Sequence, residues 1–159
     1  MTVEIYLAQH GEAKSEQDDS RRPLTDRGRK EVAAVAIALH RHGLRPSAIW
    51  HSGKLRAKQT AAAFAEALEP DDGIEEKSGL DPRDDPQGMA EAIAGLEAPT
   101  LVVGHLPHLS RLASLLVAGD SHTDIIRFRQ GGVLCLARAD EGWRIAWYVT
   151  PQLAEGLTA

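Results

Sequence analysis

The stretch Leu7-Ala8-Gln9-His10-Gly11-Glu12 decides how this chain folds and where its polar groups gather. It completes an apolar run that begins at Val3, and such a run predicts a β-strand. A strand here places His10 at the carboxyl edge of a sheet, which is where open α/β sheets bind ligands. Gly11 carries no Cβ, so a ligand can approach the backbone at the turn. A His-Gly pair alone more often has a structural role. A ligand site is therefore predicted only if other polar residues lie at the same edge of the sheet.

Length and composition are those of an ordinary globular chain. The 159 residues suit one domain spanning residues 1–159, and hydrophobic and charged fractions of 43% and 26% favour a packed core over disorder. The net charge of −5 argues against a nucleic-acid partner. No apolar run approaches bilayer length and nothing resembles a signal peptide, so we expect a cytoplasmic protein without a membrane partner. A monomer is the expected oligomeric state. The single cysteine, Cys135, excludes an intrachain disulfide.

Short apolar runs bounded by turn residues predict the strands. The run Thr100–Gly104 is apolar throughout, as in a strand that is buried on both faces. The last two runs are joined by Ala139-Asp140-Glu141-Gly142, which suits a hairpin turn. The predicted strands cover residues 3–7, 47–52, 74–80 (the weakest), 100–104, 133–138 and 143–149.

Stretches with apolar residues at helical spacing separate these strands. The first helix is predicted to begin at the N-cap Thr25 and to end at Gly43. Ser52 is the expected N-cap of the second helix, Met89 lies at the start of a short third helix, and Pro107 opens the fourth. The alternation of strands and helices predicts an α/β fold with a largely parallel sheet, right-handed crossovers and helices on both faces.

Three of the predicted parallel strands end in polar residues at the same edge of the sheet. The first delivers His10, and the apolar strand at 100–104 delivers His105. The strand at 47–52 leads into a helix that carries Arg56 in its first turn. Because parallel strands bring their carboxyl ends together, we expect these three side chains to surround one pocket. Arg22, in the long polar loop 12–24, can fold over it.

Two imidazoles, together with guanidinium groups at helix starts, suit a phosphate. Helix N-termini supply N–H donors, and arginine grips oxygen atoms bidentately. His105 and His108 are three residues apart and raise the possibility of a metal, but no carboxylate or cysteine completes a ligand set. The prediction is therefore a phosphate site with no metal and no cofactor.

Four patches of the chain, from its start to about residue 118, resemble the histidine phosphatase superfamily, the relatives of phosphoglycerate mutase. They resemble most its small SixA-type branch of phosphohistidine phosphatases. The resemblance implies a phosphoglycerate mutase-like, three-layer α/β/α sandwich around a mostly parallel sheet, and metal-independent phosphoryl transfer to a histidine. The patches are Gln9-His10-Gly11-Glu12-Ala13, Arg22-Pro23-Leu24-Thr25-Asp26-Arg27-Gly28, Ser52-Gly53-Lys54-Leu55-Arg56-Ala57-Lys58-Gln59-Thr60 and Val103-Gly104-His105-Leu106-Pro107.

By position, the resemblance makes His10 the nucleophile, Arg56 a core arginine, His105 the second core histidine and Arg22 an additional phosphate-side arginine. One residue departs from the pattern, because Gln9 stands where the opening Arg-His-Gly motif has arginine. Glutamine can donate an N–H bond to a phosphate oxygen, but it supplies neither the charge nor the bidentate fork of arginine. Impaired activity is the expected consequence.

The resemblance implies a phosphatase that removes phosphate from phosphohistidine, on a phosphorylated protein, through a phosphohistidine intermediate on His10, and releases inorganic phosphate. Small phosphate esters are the alternative substrates. A non-catalytic module that binds phosphate or a phosphoprotein is the alternative that Gln9 motivates. The general acid stays open among Glu12, Asp84 and Asp85, each of which is otherwise a solvated loop carboxylate.

Overall fold

The computed structural model describes residues 2–158, which form six strands and five helices. The strands are β1 (Glu4–Gln9), β2 (Ala48–His51), β3 (Ile74–Glu76), β4 (Thr100–Gly104), β5 (Val133–Arg138) and β6 (Trp143–Val149). The helices are α1 (Asp26–Arg41), α2 (Leu55–Leu68), α3 (Pro86–Ala94), α4 (His108–Ala118) and α5 (Pro151–Thr158).

One six-stranded sheet, in the order β3-β2-β4-β1-β5-β6, organises the chain. The four strands from β3 to β1 are parallel, and β5 and β6 add an antiparallel hairpin beside β1. The predicted α/β fold with a mostly parallel sheet and helices on both faces is confirmed. Among residues 2–158, no helix is long and apolar enough to span a membrane.

The two faces of β1 belong to two separate hydrophobic cores. Tyr6 and Ala8 contact the core that includes residues of α1 and α2, whereas Ile5 and Leu7 contact the core beneath α3 and α4. Successive side chains of a strand point to opposite faces, so a strand covered on both sides is apolar throughout. This explains the uninterrupted apolar run that precedes His10.

Helix ends follow local capping chemistry, with two corrections to the sequence predictions. The Thr25 hydroxyl accepts a hydrogen bond from the Gly28 backbone at 2.9 Å, so the predicted N-cap of α1 is confirmed. The prediction that Ser52 caps α2 is wrong, because the N-cap is Lys54 and Ser52 bonds elsewhere. The third helix begins earlier than predicted, because the Asp85 carboxylate accepts from the Gln87 backbone at 2.9 Å.

Two further elements differ from the sequence prediction. Helix α5 was not predicted; it begins at Pro151, which suits the first position of a helix, and it buries Ala154. The extended segment 74–80 is a strand only over Ile74–Glu76, because only these residues pair with β2.

The register of the parallel strands brings their carboxyl ends level. Gln9 pairs with Gly104 across β1 and β4, and His51 pairs with Val103 across β2 and β4. The backbone N–H of His10 donates to the Gly104 carbonyl at 3.1 Å, which extends this ladder by one residue. The polar residues that follow the three strands therefore share one edge of the sheet.

Candidate active site

His10 is buried at the end of β1 and is held in one tautomer. Its Nδ1 lies 2.7 Å from the carbonyl oxygen of Gly11, which can only accept, so Nδ1 carries the proton. The lone pair of Nε2 is then available for attack. Burial lowers the pKa of His10 to about 4, assisted by the charges of Arg56 and Arg22 and opposed by the Gly11 hydrogen bond. The imidazole is therefore neutral at physiological pH, as a nucleophile requires.

His105 lies beside His10 at the end of β4. The two ring centroids are 5.0 Å apart, and Nε2 of His105 is 2.6 Å from the hydroxyl oxygen of Ser52. Burial lowers the pKa of His105 to about 3, with further contributions from His10 and Arg56. When Ser52 donates to Nε2, the proton of the neutral imidazole sits on Nδ1. His105 then presents an N–H donor next to His10.

Arg56 lies in the first turn of α2, as predicted, and adds a cation to this edge. Burial lowers the pKa of its guanidinium, with a further contribution from the charge of Arg22, whereas Asp81 opposes the shift. The charges of both arginines also reach His10. The structure thus brings His10, His105, Arg56 and Arg22 into one neighbourhood.

Arg22 is carried by a loop whose base is fixed at several points. Its Nε donates to the Lys14 carbonyl at 3.1 Å. The two arms of the loop are joined by a β-bridge between Ala13 and Leu24. The backbone N–H of Leu24 donates to Oε1 of Gln59, on α2, at 2.8 Å. The loop is therefore bound to the helix that bears the other site arginine.

Three buried polar atoms of the site have no hydrogen-bond partner among residues 2–158. They are Oε1 of Gln9, Nε of Arg56 and Nδ1 of His105. Buried polar groups in folded proteins are almost always hydrogen-bonded, and leaving one unpaired costs free energy. Unpaired atoms concentrated around one histidine indicate a site that a polar ligand completes. Two of the three atoms can act as donors, which fits an oxyanion.

The three carboxylates proposed as general acids all have structural partners. Glu12 accepts a hydrogen bond from the Thr25 hydroxyl at 2.8 Å. Asp84 accepts from the Asp81 backbone at 2.9 Å, and Asp85 caps α3. The geometry assigns none of them to proton transfer. Asp81, which the sequence did not single out, is the carboxylate whose charge acts on Arg56.

Within residues 2–158, no group of three or more histidine, cysteine or acidic side chains is placed to hold a metal ion. His108, considered beside His105 for such a site, is fully buried in the first turn of α4, and neither of its ring nitrogens has a hydrogen-bond partner.

Thr60 is a positioning residue that the sequence reasoning missed. Its hydroxyl accepts from the Gly11 backbone at 3.0 Å and donates to the Arg56 carbonyl at 2.7 Å. The side chain is fully buried. One hydroxyl therefore ties the turn after His10 to the helix that carries Arg56. The four-residue spacing places Thr60 on the same helix face as Arg56, but the contact with Gly11, 49 residues away, depends on the fold.

Thr60→Val is expected to lower both stability and activity. Valine keeps the shape but leaves the buried Gly11 N–H unpaired, which costs about 1–3 kcal/mol. Loss of the tie between His10 and Arg56 should lower kcat about ten- to hundredfold. Denaturant titration and turnover of an aryl phosphate measure the two effects. Thr60→Ser keeps the hydroxyl and serves as the control; equal behaviour of the two variants would contradict this role.

Acidification is expected to destabilise the protein through His10. Its pKa is about 4 in the folded protein against an ordinary value of 6.5, so the unfolded chain binds more protons between these values. The free energy of unfolding should fall from pH 7 to pH 5, by about 2 kcal/mol for His10 alone. Denaturant titrations at both pH values compare the wild type with His10→Gln, whose loss should be smaller by that amount. Equal losses would show that His10 is not held neutral by burial.

Known proteins resemble this chain in sequence and in fold. A sequence model described as histidine phosphatase superfamily, branch 1, matches residues 5–84, which include Gln9, His10, Arg22 and Arg56. The chain belongs to the histidine phosphatase superfamily. One relative is an uncharacterised protein of a Picosynechococcus species. It is 32% identical over 156 residues, and the match covers 87% of this chain and 92% of the relative.

Solved structures resemble this histidine phosphatase superfamily member over almost the whole chain. The structure of the protein histidine phosphatase SixA complexed with tungstate has a TM-score of 0.84 at 25% identity, covering 94% of this chain and 98% of that chain. A structure from Agrobacterium tumefaciens that carries the name phosphohistidine phosphatase SixA has a TM-score of 0.78 at 22% identity, covering 95% and 99%. The phosphoglycerate mutase-like, SixA-type architecture expected from the sequence is confirmed.

Proposed function

We propose that the protein is a phosphatase that removes phosphate from phosphohistidine on proteins, through a phosphohistidine intermediate on its own His10. The observation that carries the proposal is the state of His10. Its Nδ1 proton is held by the Gly11 carbonyl at 2.7 Å, and this leaves Nε2 free beside Arg56, Arg22 and His105. A neutral, oriented imidazole next to two guanidinium groups is suited to in-line attack on phosphorus.

In the first step, the Nε2 lone pair of His10 attacks phosphorus and forms a P–N bond. The bond to the leaving group breaks, and the leaving group takes its electron pair and gains a proton from solvent, which the attacking water of the second step gives back. Arg56, Arg22 and the Nδ1 proton of His105 stabilise the negative charge on the phosphoryl oxygens. In the second step, water attacks phosphorus, the P–N bond to His10 breaks, and inorganic phosphate leaves. His10 returns to its neutral form.

Two observations favour phosphohistidine as the substrate. The tungstate-bound SixA structure, which resembles this chain most among the structures described above, is that of a protein histidine phosphatase. In addition, Glu12, Asp84 and Asp85 are all engaged in loop or capping hydrogen bonds. A phosphoramidate has a good leaving group, so its cleavage needs little help from a protein acid.

Gln9 favours a second candidate, a non-catalytic module that binds a phosphorylated protein. It is 8% exposed at the end of β1, it is neutral, and its Oε1 has no hydrogen-bond partner within the described part of the chain. Removing one preorganised donor from a transition-state oxyanion typically lowers the rate about 10²–10³-fold. Such a loss would leave phosphate binding in place while turnover becomes slow.

The test is rapid-quench single turnover with a ³²P-labelled phosphohistidine protein and, separately, a generic aryl phosphate. The phosphatase proposal expects a labelled protein intermediate that is stable in base and labile in acid, with label mapped to His10, followed by phosphate release. Faster transfer from the phosphohistidine protein than from the aryl phosphate supports the substrate class; the reverse order favours small esters. Binding of both substrates without label transfer would establish the non-catalytic module.

A further inference from the structure

Ser52 holds one ring nitrogen of His105 through a hydroxyl group. The hydroxyl oxygen lies 2.6 Å from Nε2 of His105, and it accepts a hydrogen bond from the backbone N–H of Lys54 at 3.3 Å. A serine hydroxyl has one proton to donate and two lone pairs with which to accept. Because the Lys54 N–H uses one lone pair, the proton and the second lone pair both remain for Nε2. Ser52 can therefore act as a donor or as an acceptor towards His105.

The other ring nitrogen of His105 lies on the side of the candidate catalytic centre. The side chain is 1% exposed, and its Nδ1 has no hydrogen-bond partner among residues 2–158. The ring centroid is 5.0 Å from that of His10. When Ser52 donates to Nε2, the neutral imidazole carries its proton on Nδ1. This N–H group is then available to an oxyanion that is bound at His10.

The groups of the described chain that act electrostatically on His105 disfavour its protonation in the free protein. They come from the end of β1, from both ends of the β2–α2 turn and from α4, and they are His10, Lys54, Arg56 and His108. Burial acts in the same direction, so the pKa of His105 is about 3. An oxyanion among these groups has the opposite effect, because its negative charge offsets the cations and favours an imidazolium.

We propose that Ser52 is a positioning residue that allows His105 to take up a proton when an oxyanion binds. In the free protein, the hydroxyl donates to Nε2 of the neutral ring. In the complex, Nε2 carries the added proton and donates it to the Ser52 oxygen, while the Nδ1–H group donates to the oxyanion. The proton comes from solvent and returns to solvent when the oxyanion leaves. The inference rests on the proposed function, because this oxyanion is the phosphoryl group of the substrate, and it adds regulation of that site by pH.

Oxyanion binding is expected to weaken as the pH rises. His105 is neutral in the free protein and gains a proton in the complex, so its pKa is higher in the complex. Between the two pKa values the complex holds more protons than the free protein, and a rise in pH therefore favours release. Tungstate, a dianion across this range, should bind about tenfold more tightly at pH 5 than at pH 8.

Titration calorimetry with tungstate tests this coupling. It gives the affinity and, from buffers of different ionisation enthalpy, the number of protons taken up. The wild type should take up close to one proton per tungstate at pH 5 and much less at pH 8. His10→Ala lacks the other imidazole of the centre and should keep this uptake. Ser52→Ala should lose most of it and bind tungstate about tenfold more weakly at pH 5, because the buried Nε2–H of the imidazolium then lacks an acceptor.

Two further serine variants and a spectroscopic signature separate this role from a structural one. Ser52→Thr keeps the hydroxyl and should restore both the affinity and the uptake. Ser78→Ala removes an exposed hydroxyl and should match the wild type. In ¹⁵N NMR spectra, assigned with His105→Gln, the free protein should show a proton on Nδ1 and none on Nε2. The tungstate complex at pH 5 should show protons on both nitrogens.

Four outcomes would each overturn the inference: uptake close to zero in the wild type at pH 5, loss of the uptake in His10→Ala, unchanged uptake in Ser52→Ala, or no binding of tungstate. Label transfer to His10 tests the proposed function separately. Turnover together with pH-independent tungstate binding defeats the inference and leaves the phosphatase standing. Proton uptake through Ser52 and His105, with no labelled His10 in the wild type, defeats the phosphatase and leaves the inference standing.

Discussion

His10→Ala is expected to abolish phosphate release. The substitution removes the group that the geometry prepares for attack, a neutral imidazole with its proton held by the Gly11 carbonyl. Loss of a nucleophile from a two-step displacement lowers the rate by about 10⁴-fold or more, since direct attack by water on the bound substrate is all that remains. Single-turnover phosphate release and trapping of the labelled intermediate measure the effect.

Folding must be separated from chemistry in this experiment. His122→Ala is the matched control, because His122 is exposed and distant in sequence from all four motifs. The binding of tungstate or inorganic phosphate to His10→Ala should persist, since Arg56, Arg22 and His105 remain. Activity of His10→Ala within tenfold of the wild type would place the nucleophile on another residue. Loss of oxyanion binding together with activity would instead indicate a damaged site.

Gln9→Arg is expected to increase the rate of phosphoryl transfer by about 10²–10³-fold. The Gln9 side chain is almost fully buried next to His10, and none of the residues that the structure describes bonds its Oε1, so the amide has hydrogen-bonding capacity to spare. A guanidinium would add a charge and a bidentate donor for the phosphoryl oxygens. The gain should appear in kcat, because these contacts strengthen as charge develops in the transition state.

Gln9→Lys and Gln9→Met are the matched variants for this prediction. Lysine adds the charge without the fork and should give a smaller gain, and methionine keeps the length without hydrogen bonds. If the wild type is inactive and Gln9→Arg is active, the protein is a binding module on a phosphatase scaffold. If Gln9→Arg is slower than the wild type, Gln9 is adapted to the substrate of this protein.

Much of the fold could be predicted because its causes are local. β4 is apolar at every position, and the hairpin of β5 and β6 has a turn sequence between two runs, so the predicted bounds of all three strands match the structure. The convergence of His10, Arg56 and His105 follows from a general rule about the carboxyl ends of parallel strands. The placement of these side chains needed no knowledge of the tertiary contacts.

The features that escaped prediction depend on contacts between distant parts of the chain. Serine is a common N-cap residue, but the Ser52 hydroxyl forms a hydrogen bond with His105, which lies 53 residues away. Thr60 reads as an ordinary helical residue until the turn at Gly11 is placed against it. The cavity lined by Ser52, Glu76 and Asp85 forms only when the segments after β2 and β3 and the start of α3 come together. Local propensity contains no information about these partners.

The loop that carries Arg22 has a consequence for how such proteins diversify. Its base is fastened by the Ala13–Leu24 bridge and by Gln59, whereas its tip, residues 15–20, is mostly exposed and folds on itself. Residues inserted at the tip would lengthen the loop beside the reaction centre, while Arg22 and the base of the loop would keep their positions. Loop grafting at this point would therefore change which molecules gain entry while the phosphoryl chemistry stays the same. The fold thus separates the evolution of access from the evolution of catalysis.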